Sequence, residues 1–221
     1  MEDLKEKLKK QLREIERKKY SSFYFNNEYW KEDLPGKTGN RGLSYDDHLH
    51  QKRFSYLSNL LIRFFDFKSI LDSGCGSTIL LNYLRQKGKT CFGFDITNYG
   101  FSLLQSSNNL PLLLASLESI PFKNNSVDMV CNFDVLEHIP ILDVESSIFE
   151  LTRVACKYLV VTINLDNPYL YHPTILSRES WEALFLMTGM LEQLKSVETN
   201  IQQECKNYYP EYDFFVFKRI R

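Results

Sequence analysis

The first chemical signal in the chain is an acid followed by two glycines. The run Leu71-Asp72-Ser73-Gly74-Cys75-Gly76 places a carboxylate at the end of a short apolar stretch, with glycines one residue apart just beyond it. Glycine has no Cβ, so a ligand can pass close to the backbone there. A helix beginning near Ile79 would aim its free N–H groups at the same place. A dinucleotide would ask for G-x-G-x-x-G, with its pyrophosphate on the helix dipole. The third glycine is missing, and Asp72 would repel a pyrophosphate. The arrangement suits a ligand that carries positive charge at this point.

S-adenosylmethionine (SAM) is such a ligand, with an ammonium and a sulfonium. Asp95 is the second signal. It follows the apolar run Cys91-Phe92-Gly93-Phe94 and lies 23 residues after Asp72. A carboxylate at such a strand end can accept both hydroxyls of a ribose; it or Thr97 can instead cap the next helix. A third group is Tyr171-His172, ahead of a helix start at Ser177. There the histidine can take a proton from an acceptor hydroxyl, or simply hold its loop. The polar and aromatic stretch 20–50 is a candidate lid or a surface connection. Tyr45 and His50 in it are candidate substrate contacts with Tyr171, and Arg41 is a candidate partner for a carboxylate of the cofactor. Its Pro35-Gly36-Lys37-Thr38 lacks the spacing of a phosphate loop and follows no strand.

These residues need a sheet to bring them together. From residue 67 the pattern alternates strand and helix: strands at 69–72, 90–95, 110–114, 127–133 and 158–163, helices near 78–87, 99–105, 143–154 and 178–190. Alternation of this kind requires a mostly parallel sheet with helices on both faces. Two final strands, 191–199 and 212–219, have no helix between them in this reading and should pair antiparallel. The expected fold is α/β: a Rossmann-like, doubly wound, seven-stranded sheet with an antiparallel last strand. An N-terminal helical extension and lid (residues 1–66) precedes the main domain (67–221). The extension opens on a charged helix at 2–19, with eight Lys/Arg, five Asp/Glu and an apolar stripe Leu4, Leu8, Leu12, Ile15.

Four segments, in order between residues 69 and 140, resemble the class I SAM-dependent methyltransferases, in their small-molecule, type 11-like group. They are the glycine turn, Asp95, the stretch Ser116-Leu117 to Ile120-Pro121-Phe122, and Asn132-Phe133-Asp134-Val135-Leu136-Glu137-His138-Ile139. The chain departs from the family at Thr78, where a third glycine is common, and at Ser116, where an acid is usual. The resemblance implies that Ser116 and Leu117 meet adenine, with Ile96 covering its other face. It implies that Asn132 and Phe133 lie under the methionine part of the cofactor, and that Asp134 and His172 face the reacting methyl. Glu137 and His138 are expected to hold the loop.

The implied reaction is methyl transfer from SAM to a small polar acceptor, by O- or N-methylation, leaving S-adenosylhomocysteine (SAH). Basic residues near the lid suggest a sugar or a phosphorylated metabolite, as in glycan or natural-product synthesis. A non-catalytic SAM-fold subunit and a NAD-dependent oxidoreductase are the competing readings. A net charge of −1 provides no global field for nucleic acid or anionic membrane. No apolar run nears the ~20 residues of a span, and the charged N-terminus does not read as a signal peptide. The five cysteines lack C-x-x-C spacing and read as reduced thiols. A cytoplasmic monomer or homodimer without a bound metal is expected.

Overall fold

The computed structural model describes residues 7, 10–12, 14, 48–97, 110–165 and 172–221. The elements in order are α1 (His48–Phe64), β1 (Ser69–Ser73), α2 (Ile79–Gln86), β2 (Thr90–Asp95), β3 (Leu112–Leu114) and β4 (Val127–Phe133). A 3-10 turn (Leu136–His138), α3 (Ile141–Val154), β5 (Ala155–Ile163), α4 (Arg178–Met187), β6 (Leu191–Gln193), α5 (Lys195–Cys205) and β7 (Asp213–Arg219) complete the chain. Residues 20–47 of the expected lid, with Arg41 and Tyr45, and the side chain of His50 lie outside the described residues, as do Tyr171 and the helix expected at 99–105; His48–His50 open α1. Of the charged N-terminal helix, Lys7, Lys10, Gln11, Leu12 and Glu14 are helical and exposed.

The strands form one sheet in the order β3-β2-β1-β4-β5-β7-β6. Neighbours from β3 through β5 run parallel. β7 runs antiparallel to both β5 and β6. The strand order reverses between β1 and β4, which opens a crevice at their carboxyl ends.

Alternation along each strand explains why both faces are covered. Leu71, Val130, Val161, Phe215 and Phe217 share one apolar cluster with Ile148 and Leu151 of α3 and Trp181 and Phe185 of α4. Ile70, Met129, Cys131, Val160, Phe214 and Val216 share the other with α1, α2 and α5. Successive side chains point to opposite faces, so a strand buried on both sides reads as one continuous apolar run. Leu57, Leu60 and Leu61 of α1, spaced at helical intervals, join that second cluster.

One expectation is corrected. The stretch 191–199 is not a single strand: β6 ends at Gln193, and α5 stands between it and β7. Ile201 and Cys205 are fully buried and Val197 partly so, an i, i+4, i+8 stripe that packs against the sheet. The two strands still pair antiparallel. Arg178, at the start of α4, is the centre of an ionic network beneath this corner. It donates to Glu182 (3.1 Å), Glu198 (2.5 Å), Asp213 (2.7 Å) and the Phe214 carbonyl (2.8 Å). Among the described residues, no helix is long and apolar enough to cross a membrane. All five cysteines are free, and all but Cys156 are buried.

Candidate functional site

The carboxyl ends of β1, β2 and β4 converge on the glycine turn. Gly74 and Gly76 take positive φ, 80° and 42°, as a turn this sharp requires. The N–H groups of Gly74 and Cys75 donate to the Phe94 carbonyl at 2.8 and 3.0 Å, so β2 fixes the turn. A Cβ on Gly74 would lie 2.4 Å from Cγ2 of Val135. The need for glycine here thus has a cause inside the protein as well as in the approach of a ligand. Thr78, where the family often has glycine, is itself left-handed at φ 61° and heads α2 without a side-chain cap.

Asp72 ends inside the sheet, 5% exposed. Burial pushes its carboxyl up to about 7, the Cys131 thiol donating at 3.5 Å opposes this, and the nearby Asp95 adds to it. Asp95 is half-buried, and burial raises its carboxyl too, against the N–H groups of Thr97 and Gly76. Those two groups donate to its two oxygens, Thr97 to Oδ1 at 2.9 Å and Gly76 to Oδ2 at 3.0 Å. Asp95 therefore caps the following turn. Each oxygen keeps a second acceptor site, so capping leaves room for ribose hydroxyls.

Asn132 is fully buried at the end of β4. Its amide donates to the carbonyl and hydroxyl of Ser73 at 2.9 and 3.0 Å, tying β4 to β1. Among the described residues its Oδ1 has no hydrogen-bond partner. A buried acceptor left without a donor beside a ligand crevice is a place where a ligand N–H can bind. Phe133 is half-buried, as is Ser116, whereas Leu117 is buried and Ile96 is 38% exposed. Ile96 follows the end of β2, and Ser116 lies just after β3.

Beyond β4 the chain turns sharply. Asp134 adopts φ 60°, and its N–H donates to the carbonyl and hydroxyl of Thr162 on β5. The Tyr212 hydroxyl donates to Asp134 Oδ2 at 2.8 Å. Burial, then Asp134, raise the Tyr212 phenol well above its ordinary value. Glu137 is fully buried; its Oε1 accepts the Asn164 N–H at 2.6 Å, and its own carbonyl takes the Thr174 N–H. It holds two loops together, as expected for this position. Burial, then the Asp134 charge, push its carboxyl well up. His138 and His172 meet edge to face, ring centres 4.6 Å apart, so His172 reaches the end of β4 from the loop after β5. Tyr212, on the approach to β7, had no sequence signal: it is 78 residues from Asp134. An open groove of about 430 Å³, lined by Gln51, Ser55, Tyr56, Tyr83 and Tyr208 among others, contains none of the candidate residues that are among those described.

Residues 71–158, from β1 into β5, match a family described as a methyltransferase domain. No curated protein matches the chain. Solved structures share its fold. Magnesium protoporphyrin IX methyltransferase from Synechocystis PCC 6803, with bound SAH, superposes with a TM-score of 0.60 at 16% identity, covering 93% of this chain and 99% of that one. The PH0226 protein of Pyrococcus horikoshii OT3 gives 0.61 at 14% identity, covering 80% and 94%. A chain from the complex of the Haloferax volcanii Trm112 methyltransferase activator gives 0.59 at 16%, covering 81% and 94%.

Proposed function

We propose that this chain, a class I SAM-dependent methyltransferase by its domain and its fold, methylates a small polar acceptor at the carboxyl ends of β1 and β4. The observation that carries this reading is the set of unsatisfied or charge-poor acceptors around the glycine turn. Among the described residues Asp72 is buried with only a thiol donor, and Asn132 Oδ1 has none. An ammonium beside them would satisfy both.

In this reading Asp72 and Asn132 receive the charged end of SAM, and the backbone from Gly74 to Gly76 lets it pass. Asp95 takes the ribose, Ile96 and Leu117 flank the adenine ring, and Ser116 accepts from its amino group. Phe133 supplies an apolar wall. Arg41, Tyr45, His50 and Tyr171 remain candidates for closing the site and touching the acceptor. When bound, SAM supplies an electrophilic methyl: the acceptor lone pair forms the new bond to carbon, the carbon–sulfur bond breaks, and neutral SAH leaves. Alignment supplies most of the rate in such a displacement. In this reading His172 takes the proton that a hydroxyl acceptor releases, and Asp134, held by the Tyr212 hydroxyl, orients groups near it. An amine acceptor would need no base, only to arrive neutral.

The test is calorimetric titration of the purified chain with SAM, SAH and NAD, followed by methyl transfer from labelled SAM to a panel of sugars, phosphorylated metabolites and amines. Micromolar binding of SAM and SAH, roughly −8 kcal/mol, with label transfer to one acceptor class, is the expected result. NAD binding in their place would overturn it. SAM binding without transfer to any acceptor would favour a non-catalytic subunit.

A further inference from the structure

The cluster beyond β4 is richer in metal-ligating groups than methyl transfer requires. Asp134, His138 and His172 each offer one donor atom, and these atoms all lie within 4.8 Å of one another. They come from two loops, after β4 and after β5, that Glu137, Thr174 and Asn164 fasten together. We propose that Asp134, His138 and His172 bind a divalent transition-metal cation at the mouth of the acceptor site.

The donor set names the class of ion. Two imidazoles with one carboxylate suit Zn²⁺, Co²⁺, Fe²⁺ or Mn²⁺, whereas Mg²⁺ and Ca²⁺ ask for oxygen ligands alone. The surroundings resemble those that orient metal ligands elsewhere. Asp134 is held by the Tyr212 hydroxyl at 2.8 Å and by its own N–H to Thr162. Such outer contacts fix a ligating side chain before the ion arrives.

The lining has matching chemistry. Glu137, three residues after Asp134, is fully buried, and among the described residues its Oε2 has no hydrogen-bond partner. A buried acceptor without a donor beside the cluster is open to a cation or to water bound on one. Three protein ligands leave coordination positions open. An acceptor hydroxyl bound there would release its proton to solvent near neutral pH, as metal-bound water does, and His172 would then act as a ligand in place of the base role given above. That last consequence rests on the methyl-transfer reading; metal binding does not.

The probe is Co²⁺ alone, titrated into the full chain without SAM or acceptor and followed by visible d–d absorption and calorimetry. One Co²⁺ per chain is expected, displaceable by Zn²⁺. His172→Ala and Asp134→Asn should weaken it about tenfold or more. Cys156→Ser, which removes the exposed thiol, should leave it unchanged. Absence of d–d absorption at millimolar Co²⁺, or absorption that His172→Ala does not alter, would overturn the proposal. Should those variants fail to fold, the unmutated chain still decides the matter. It has four histidines, and Mn²⁺ should broaden the ring proton signals of His138 and His172 while His48 and His50 stay sharp. Broadening confined to His48 and His50 would refute the site. Because no cofactor is present, failure of methyl transfer and failure of metal binding are read separately.

Discussion

Replacing Asp72 by asparagine removes the charge that a SAM ammonium would meet, and its effect on pH dependence can be worked out beforehand. Burial holds the Asp72 carboxyl at about 7 in the ligand-free protein. About half of it is therefore ionised at pH 7 and about a tenth at pH 6, so SAM affinity should fall about fivefold over that unit, or ~1 kcal/mol. Below pH 6 the loss should approach tenfold per unit, and near pH 7 binding should release about half a proton. The stability of the free protein has the opposite sign. An ordinary aspartate titrates near ~3.9, so between about 4 and 7 the folded state holds more protons than the unfolded one. The free protein should therefore lose stability as pH rises through that window, and Asp72→Asn should flatten the loss. Calorimetry in two buffers of different ionisation enthalpy measures the proton release; thermal melts from pH 5 to 8 measure the stability. In Asp72→Asn, SAM should bind more weakly at pH 7 and with no step between 6 and 7. Equal pH dependence in both proteins would refute the pairing of Asp72 with the cofactor.

Two further outcomes concern the frame of the site. Gly74→Ala forces a Cβ to within 2.4 Å of Val135 at φ +80° and should cost about 3 kcal/mol in urea denaturation. Val135→Ala in that background should restore part of the loss, and a Gly74→Ala variant as stable as its parent would refute the clash. Arg178→Met leaves Glu198, 4% exposed, without its closest cation. It should lower stability by about 3 kcal/mol, a fall of about 6–12 °C in Tm, and Glu198→Gln should offset part of it. An unchanged melt would show that Lys195 and Gln193 suffice for Glu198.

The sequence by itself determined the sheet and the carboxyl-end residues. Strand β4 runs over Val127–Phe133 as read from its apolar run, and Asp72 and Asp95 stand at or beside the ends of β1 and β2. Buried parallel strands leave such marks because both their faces must be apolar, while a polar residue is tolerated where the strand meets the crevice. The glycine turn was legible for the same reason: positive φ restricts the residue type locally. Long-range contacts left no such mark. Helix α5 was missed, its first residues read into the strand expected at 191–199 and the rest left as connection, because its stripe of Val197, Ile201 and Cys205 is sparse and gains meaning only against a sheet already formed. The bond from Tyr212 to Asp134, the Arg178 bonds to Glu198, Asp213 and Phe214, and the meeting of His138 with His172 join residues 78, 20 to 36, and 34 positions apart. Spacing along a chain constrains neighbours within a turn or a strand. Which loop ends lie face to face depends on strand order, and that was decided when β7 entered between β5 and β6 and the loops after β4 and β5 closed over one crevice.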